Sequence, residues 1–148
     1  MEFVEGQITI DAPQPAVMEV LADFSTYPDW SGFSSCDVRE QDEQGRASQV
    51  AIVLQAGPVN AKYTIAIEYL PEGSGLTWSF VEGSGIEDTA GEYRLEGSGD
   101  GTVVHYRGGA DVKLPVPGFI RKKLLAEGAK IGRDKALKGL KAFVEARS

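Results

Sequence analysis

From the N-terminus to Leu114 the chain alternates apolar and polar residues in short runs, interrupted once by a helical pattern. From Pro115 to the end it repeats at helical spacing. The alternation is cleanest in "NAKYTIAIEYL", where Tyr63, Ile65, Ile67 and Tyr69 share one parity and Lys62, Thr64 and Glu68 the other. Side chains of a strand point to opposite faces in turn, so this pattern predicts a strand with one buried face. The same reasoning places Phe3, Ile8 and Ile10 on a first strand. It puts Val50, Ile52 and Leu54 together, then Leu76, Trp78 and Phe80, then Tyr93 with Leu95, and finally Val104 with Tyr106. Turn-forming stretches separate these runs: one around Gln44-Gly45, then "PEGSG", then "EGSGDG".

The interruption is "DAPQPAVMEVLADF", with Val17, Val20, Leu21 and Phe24 at helical spacing and Asp11 as the expected cap of a helix starting near Pro13 or Pro15. "STYPDWSGF" follows and predicts a second short helix or tight turn that brings Tyr27, Trp30 and Phe33 together. The total is about seven strands with a helical insertion after the first. Turns between consecutive strands favour an antiparallel meander, because parallel strands need long crossovers.

One long element remains to cover the apolar face. With Pro117 in its first turn and an end near Ala146, the closing helix spans on the order of 45 Å. Ile120, Leu124 and Ile131 form one edge of its stripe, and Leu125, Ala129, Ala136, Leu140 and Phe143 the other. Together they are wide enough to lie on a sheet. Gly128, Gly132 and Gly139 interrupt it, each at a cost of about 1 kcal/mol relative to alanine. Two readings fit them: close packing against a neighbour, or room left for a ligand.

Length and charge narrow the function. A chain of 148 residues suffices for one domain that buries roughly 70% of its unfolded surface. A net charge of -7 argues against nucleic-acid binding. Cys36 and His105 are the only residues of their kinds, which excludes an internal disulfide and leaves little for a metal centre. No run reaches the 18 or more apolar residues of a membrane span, so no stable membrane insertion is expected. "MEFVEGQITI" lacks a basic leader segment, and a cytoplasmic location is expected. No dinucleotide, P-loop, zinc-protease or nucleophile-elbow pattern is present, and no cofactor is expected. The oligomeric state is beyond the sequence.

The ordered set "ITIDAPQPAVMEVLADFSTYPDW", "LTWSF", "GEYRLEGSGDGTVVHY" and "LPVPGFIRKKL" resembles the START-like helix-grip superfamily (SRPBCC), in its polyketide cyclase/dehydrase and lipid-transport branch. The resemblance covers nearly the whole chain. It implies a single α+β domain over residues 1–148, in which a seven-stranded antiparallel sheet grips a long C-terminal helix and two short helices follow strand 1. It also implies a cavity between sheet and helix that takes a lipid, isoprenoid, steroid or polyketide.

Set on that fold, the inward parities give the expected lining: Val50, Ile52, Leu54, Tyr63, Ile65, Ile67, Trp78, Phe80, Tyr93, Val104 and Tyr106 from the sheet, and Leu124, Gly128 and Gly132 from the helix. Binding of a hydrophobic small molecule, with transport as its extension, is the first expectation. A cyclase/dehydrase using inward tyrosines as donors to an enolate is the alternative, and a closed core serving as an interaction module is a third. His105 and Arg107 take the polar parity. Glu87 shares the phase of Tyr93 and Leu95, but as a strand end it is expected to be solvated near the pocket mouth. Cys36 reads as a small packing residue. Arg121 to Lys123, "RKK", reads either as a solvated face or as a contact for anionic headgroups or a ligand carboxylate.

Overall fold

The computed structural model describes residues 1–147. Seven strands form one antiparallel sheet: β1 Val4–Ile10, β2 Ser35–Gln41, β3 Ala47–Ala56, β4 Val59–Tyr69, β5 Gly75–Ser84, β6 Ile86–Ser98 and β7 Gly101–Val112. Their order is β1-β7-β6-β5-β4-β3-β2, so the meander runs from β2 to β7 and β1 closes the far side. Between β1 and β2 lie α1 (Gln14–Ala22), a 3-10 turn (Phe24–Thr26) and α2 (Tyr27–Trp30). The closing helix α3 runs Gly118–Ala146. The antiparallel meander and covering helix expected from the alternation are therefore observed, in the helix-grip arrangement that the resemblance implies.

Local chemistry explains the boundaries. Pro13, in extended backbone, stands at the head of α1 and Pro15 falls in its first turn, so the helix begins without a side-chain cap. Asp11, expected to cap it, has another partner: its N–H donates to Glu145 Oε2 at 2.8 Å, near the end of α3. Asp42 organises the β2–β3 turn, its carboxylate accepting from the backbone N–H groups of Gln44 and Arg46 and from Arg46 Nε, each at 2.9 Å.

α3 lies along β1 and β7 and against α2. Its buried residues, Ala136, Leu137, Leu140 and Val144, all belong to its C-terminal half. Burial of each of the larger three contributes roughly 1.5–3 kcal/mol. Polar contacts reinforce the seam. Arg133 Nη1 donates to the Glu5 carbonyl at 3.0 Å and Lys141 Nζ to the Thr9 carbonyl at 2.7 Å. β1 is an edge strand, and these side chains occupy backbone acceptors that would otherwise invite pairing. In the first turns of α3 no residue is fully buried, Leu125 alone packs partly against the core, and Leu124 is 43% exposed.

A β-bulge sets the phase at the start of β6 and leaves Glu87 solvated, as expected of a strand end. Pairing of β6 with β7 slips between Ile86 and Asp88, so Ile86 is buried and Glu87 is exposed. Glu87 therefore lacks the inward phase that plain alternation gives it, because the extra residue resets the count.

Candidate functional site

The sheet's inner face carries an aromatic wall contributed by four elements. Ring centroids of Trp78 and Tyr93 are 5.5 Å apart, Trp78 and Tyr106 5.9 Å, and Tyr93 and Tyr106 5.3 Å. Trp30 of α2 adds an edge contact to Tyr93 at 6.4 Å. Such offset and tilted pairs are the geometries aromatic quadrupoles favour.

Glycines make the wall possible. Gly91 of β6 pairs with Gly108 of β7. A Cβ at Gly91 would stand 2.2 Å from Cζ2 of Trp78, so the indole occupies a place that any other residue's side chain would need. At Gly108 a Cβ would meet the Tyr106 hydroxyl at 2.5 Å, which shows that Tyr106 leans along its own strand.

The hydroxyls divide into two groups. Tyr27 Oη donates to the Leu21 carbonyl at 2.6 Å and Tyr69 Oη to the Ala47 carbonyl at 2.9 Å. Trp30 Nε1 donates to Thr26 Oγ1 at 3.1 Å. The hydroxyls of Tyr63, Tyr93 and Tyr106 have no hydrogen-bond partner among the described residues. Tyr63 and Tyr93 are only 7% and 5% exposed, yet none of the three oxygens is sealed off without a partner, so each borders water-sized space. Three hydroxyls free of protein partners within one largely apolar region can each take up a water or an oxygen function of a ligand.

Their protonation follows from burial. Desolvation pushes the phenols of Tyr63, Tyr93 and Tyr106 above their ordinary value, in Tyr106 against the opposing charge of Arg133. Burial, with a smaller contribution from Asp37, also pushes the Cys36 thiol up to about 12. All four are neutral donors at pH 7, and none is a base there. Among the described residues the buried polar side chains apart from tyrosine and Trp30 are Thr26, Thr89 and Thr102; no carboxylate is buried. No three His, Cys, Asp or Glu side chains converge among the described residues.

The expected lining residues fall into two sets. Val50, Ile52, Tyr63, Ile65, Ile67, Tyr93 and Val104 are buried on the inner face, and Leu54, Trp78, Phe80 and Tyr106 are partly buried against them. Leu124, Gly128 and Gly132 are exposed, and a Cβ at either glycine would meet nothing within 4 Å. His105 is on the outer face as its parity requires, with Nε2 3.2 Å from Glu96 Oε2. Two open depressions, of about 320 and 510 Å³, also lie on the outer side. The first is bordered by Glu5, Glu92, Arg94, His105 and Arg107, the second by Asp37, Arg39, Lys62 and Glu82.

Strand parity missed Trp30 and Arg133, which reach the region from helices. Cys36, read as a small packing residue, is partly buried against the core, and its partner across the β2–β3 ladder is the inward Ile52. The clustering of Tyr27, Trp30 and Phe33 in sequence was the signal available for Trp30.

The architecture is a START-like helix-grip fold. The chain belongs to the polyketide cyclase/dehydrase and lipid transport family, whose model matches residues 1–145. A START superfamily protein from Mycobacterium smegmatis has the same fold, with a TM-score of 0.81 at 23% identity over 99% of each chain. The protein TTHA0849 from Thermus thermophilus superposes with a TM-score of 0.87 at 21% identity, again over 99% of both chains. The Zhui aromatase/cyclase from Streptomyces sp. R1128 gives 0.83 at 16% identity over 99% of this chain and 94% of its own. No curated protein matches the sequence. No described helix is long and apolar enough to cross a membrane.

Proposed function

We propose that the protein binds, and carries, a neutral hydrophobic molecule with at least one oxygen function, held between the aromatic wall and α3. The observation that carries this reading is the set of open hydroxyls on Tyr63, Tyr93 and Tyr106, set among apolar side chains. An apolar surface with a few convergent neutral donors suits orientation of such a ligand. A bound carbonyl or hydroxyl would satisfy donors that the protein leaves unpaired. The family's description, polyketide cyclase/dehydrase and lipid transport, agrees with a hydrophobic ligand, and the single free thiol agrees with the cytoplasmic location we propose.

Catalysis is the second reading. The same hydroxyls are suitable donors to an enolate, and one similar structure is an aromatase/cyclase. Cyclisation also needs a base, and the absence of a buried carboxylate among the described residues favours binding over turnover. Gly128 and Gly132 we assign to the open stretch of α3 beside the ligand. Gly132→Leu should lower affinity with the fold intact, and unchanged affinity would confine the site to the sheet.

Native mass spectrometry of protein purified from its own source, followed by extraction, tests the binding reading. A co-purifying oxygenated lipid, isoprenoid or polyketide supports it. A stoichiometrically bound charged metabolite would contradict it.

A further inference from the structure

The chain's charge is segregated. Residues 113–126 hold Lys113, Arg121, Lys122 and Lys123 and no acidic residue, a local charge of +4 in a chain of -7, which leaves -11 for the remainder. The same segment breaks the rule that large apolar side chains are covered. Phe119 is 80% exposed, and Val116, Ile120 and Leu124 are 36%, 39% and 43% exposed, with Ile131 further along at 69%. Five of the eight exposed large hydrophobics among the described residues thus fall between Val116 and Ile131.

Geometry arranges them as a tip. Pro115 and Pro117 stiffen the approach to α3, and Phe119 projects from its first turn. Ile120, Leu124 and Ile131 continue one outward stripe, spaced by four and seven residues and flanked by Lys123 and Lys130, with Glu127 and Asp134 the acids beside it, the latter paired with Arg133. Lys122 pairs with Glu2 at 3.2 Å, both side chains well exposed. Lys113, Arg121 and Lys123 have no ion-pair partner among the described residues.

We propose that this tip docks the protein on an anionic lipid bilayer, with Phe119 inserted at the headgroup level and Lys113 and Arg121 to Lys123 on the anionic headgroups. Three alternatives fit less well. A two-fold interface with a second copy would set +4 against +4. An acidic protein partner would need a recess for its anchor side chains, and a phenyl ring that is 80% exposed forms a projection instead. Solvent alone leaves the apolar cluster without a role. A shallow apolar wedge ringed by cations is the form that interfacial anchors take, and the acidic remainder of the chain would turn away from the same surface. The proposal does not depend on which ligand the inner face holds.

The test is co-sedimentation of the full chain with phosphatidylcholine vesicles, with and without phosphatidylserine. Binding is expected only with phosphatidylserine, and it should weaken as salt rises. Phe119→Glu, and separately the triple change Arg121→Glu, Lys122→Glu, Lys123→Glu, should each weaken it at least about tenfold. These sites are exposed, and unchanged circular dichroism would verify folding. Failure of the wild-type chain to bind, equal binding to neutral vesicles, or variants that bind like wild type would each overturn the proposal. A self-association in sedimentation velocity that Phe119→Glu abolishes, with no vesicle binding, would assign the face to a second copy instead.

Discussion

Gly139 of α3 faces the main chain of Trp30 so closely that a Cβ on it would stand 2.1 Å from the Trp30 carbonyl oxygen. α2 and α3 touch there through backbone, and backbone cannot swing aside as a flexible side chain can. Gly139→Ala is therefore expected to destabilise the protein by about 1–3 kcal/mol, as overpacking does. Gly128 and Gly132 meet nothing within 4 Å, so alanine at either should raise stability by about 0.5–1 kcal/mol through helix propensity. Urea denaturation midpoints check all three. A gain from Gly139→Ala would mean that the helices do not approach as described.

The sequence could not separate these glycines. At spacings of four and seven residues all three lie on one flank of the helix, and only the position of the short helix Tyr27–Trp30 decides which of them meets protein. Strand identity was legible because each inward run keeps period 2 over several residues, as Tyr63, Ile65 and Ile67 do. Glu87 is solvated, as a strand end should be, but the bulge beside Ile86 that turns it outward leaves no trace in the alternation. Leu124 was placed in the lining by an apolar stripe that has the right period for burial, but α3 rests on β1 and β7 through its other half. Apolar spacing locates a face; it does not say which stretch of that face is covered.

The tyrosines should separate by stability. Tyr27→Phe removes a buried donor and strands the Leu21 carbonyl, at a cost of about 1–3 kcal/mol. Tyr63→Phe, Tyr93→Phe and Tyr106→Phe break no protein hydrogen bond, and each should change stability by less than about 0.5 kcal/mol. Thermal or urea unfolding of the four variants makes the comparison. A large loss in any of the last three would reveal a structural partner for that hydroxyl.

Alkaline pH should weaken the fold. The Cys36 thiol and the inner phenols are raised in the folded state, which therefore holds its protons more tightly than the unfolded chain. Their contribution is complete below the unfolded values, near 9 for the thiol and 10 for the phenols. It is lost as pH climbs toward the folded ones. Stability followed from pH 8 to 11 should fall steadily, and a flat profile would contradict the burial of these groups.

Cys36 provides a separate kinetic check. With its thiol at about 12, very little thiolate exists at pH 8. Reaction with a disulfide reagent should be orders of magnitude slower in the native protein than in urea. Rapid native labelling would place Cys36 outside the inner face.

The central claim is that the open hydroxyls of Tyr63, Tyr93 and Tyr106 recognise an oxygen function on an apolar ligand. The most direct measurement is a titration with naphthalene and with 2-naphthol, followed by tryptophan fluorescence. It is made on the wild-type chain and on the triple variant Tyr63→Phe, Tyr93→Phe, Tyr106→Phe. Saturable binding of both, a preference for 2-naphthol of about fivefold or more, and loss of that preference in the variant is the predicted result. Absence of saturable binding, or a preference that survives in the variant, would contradict it.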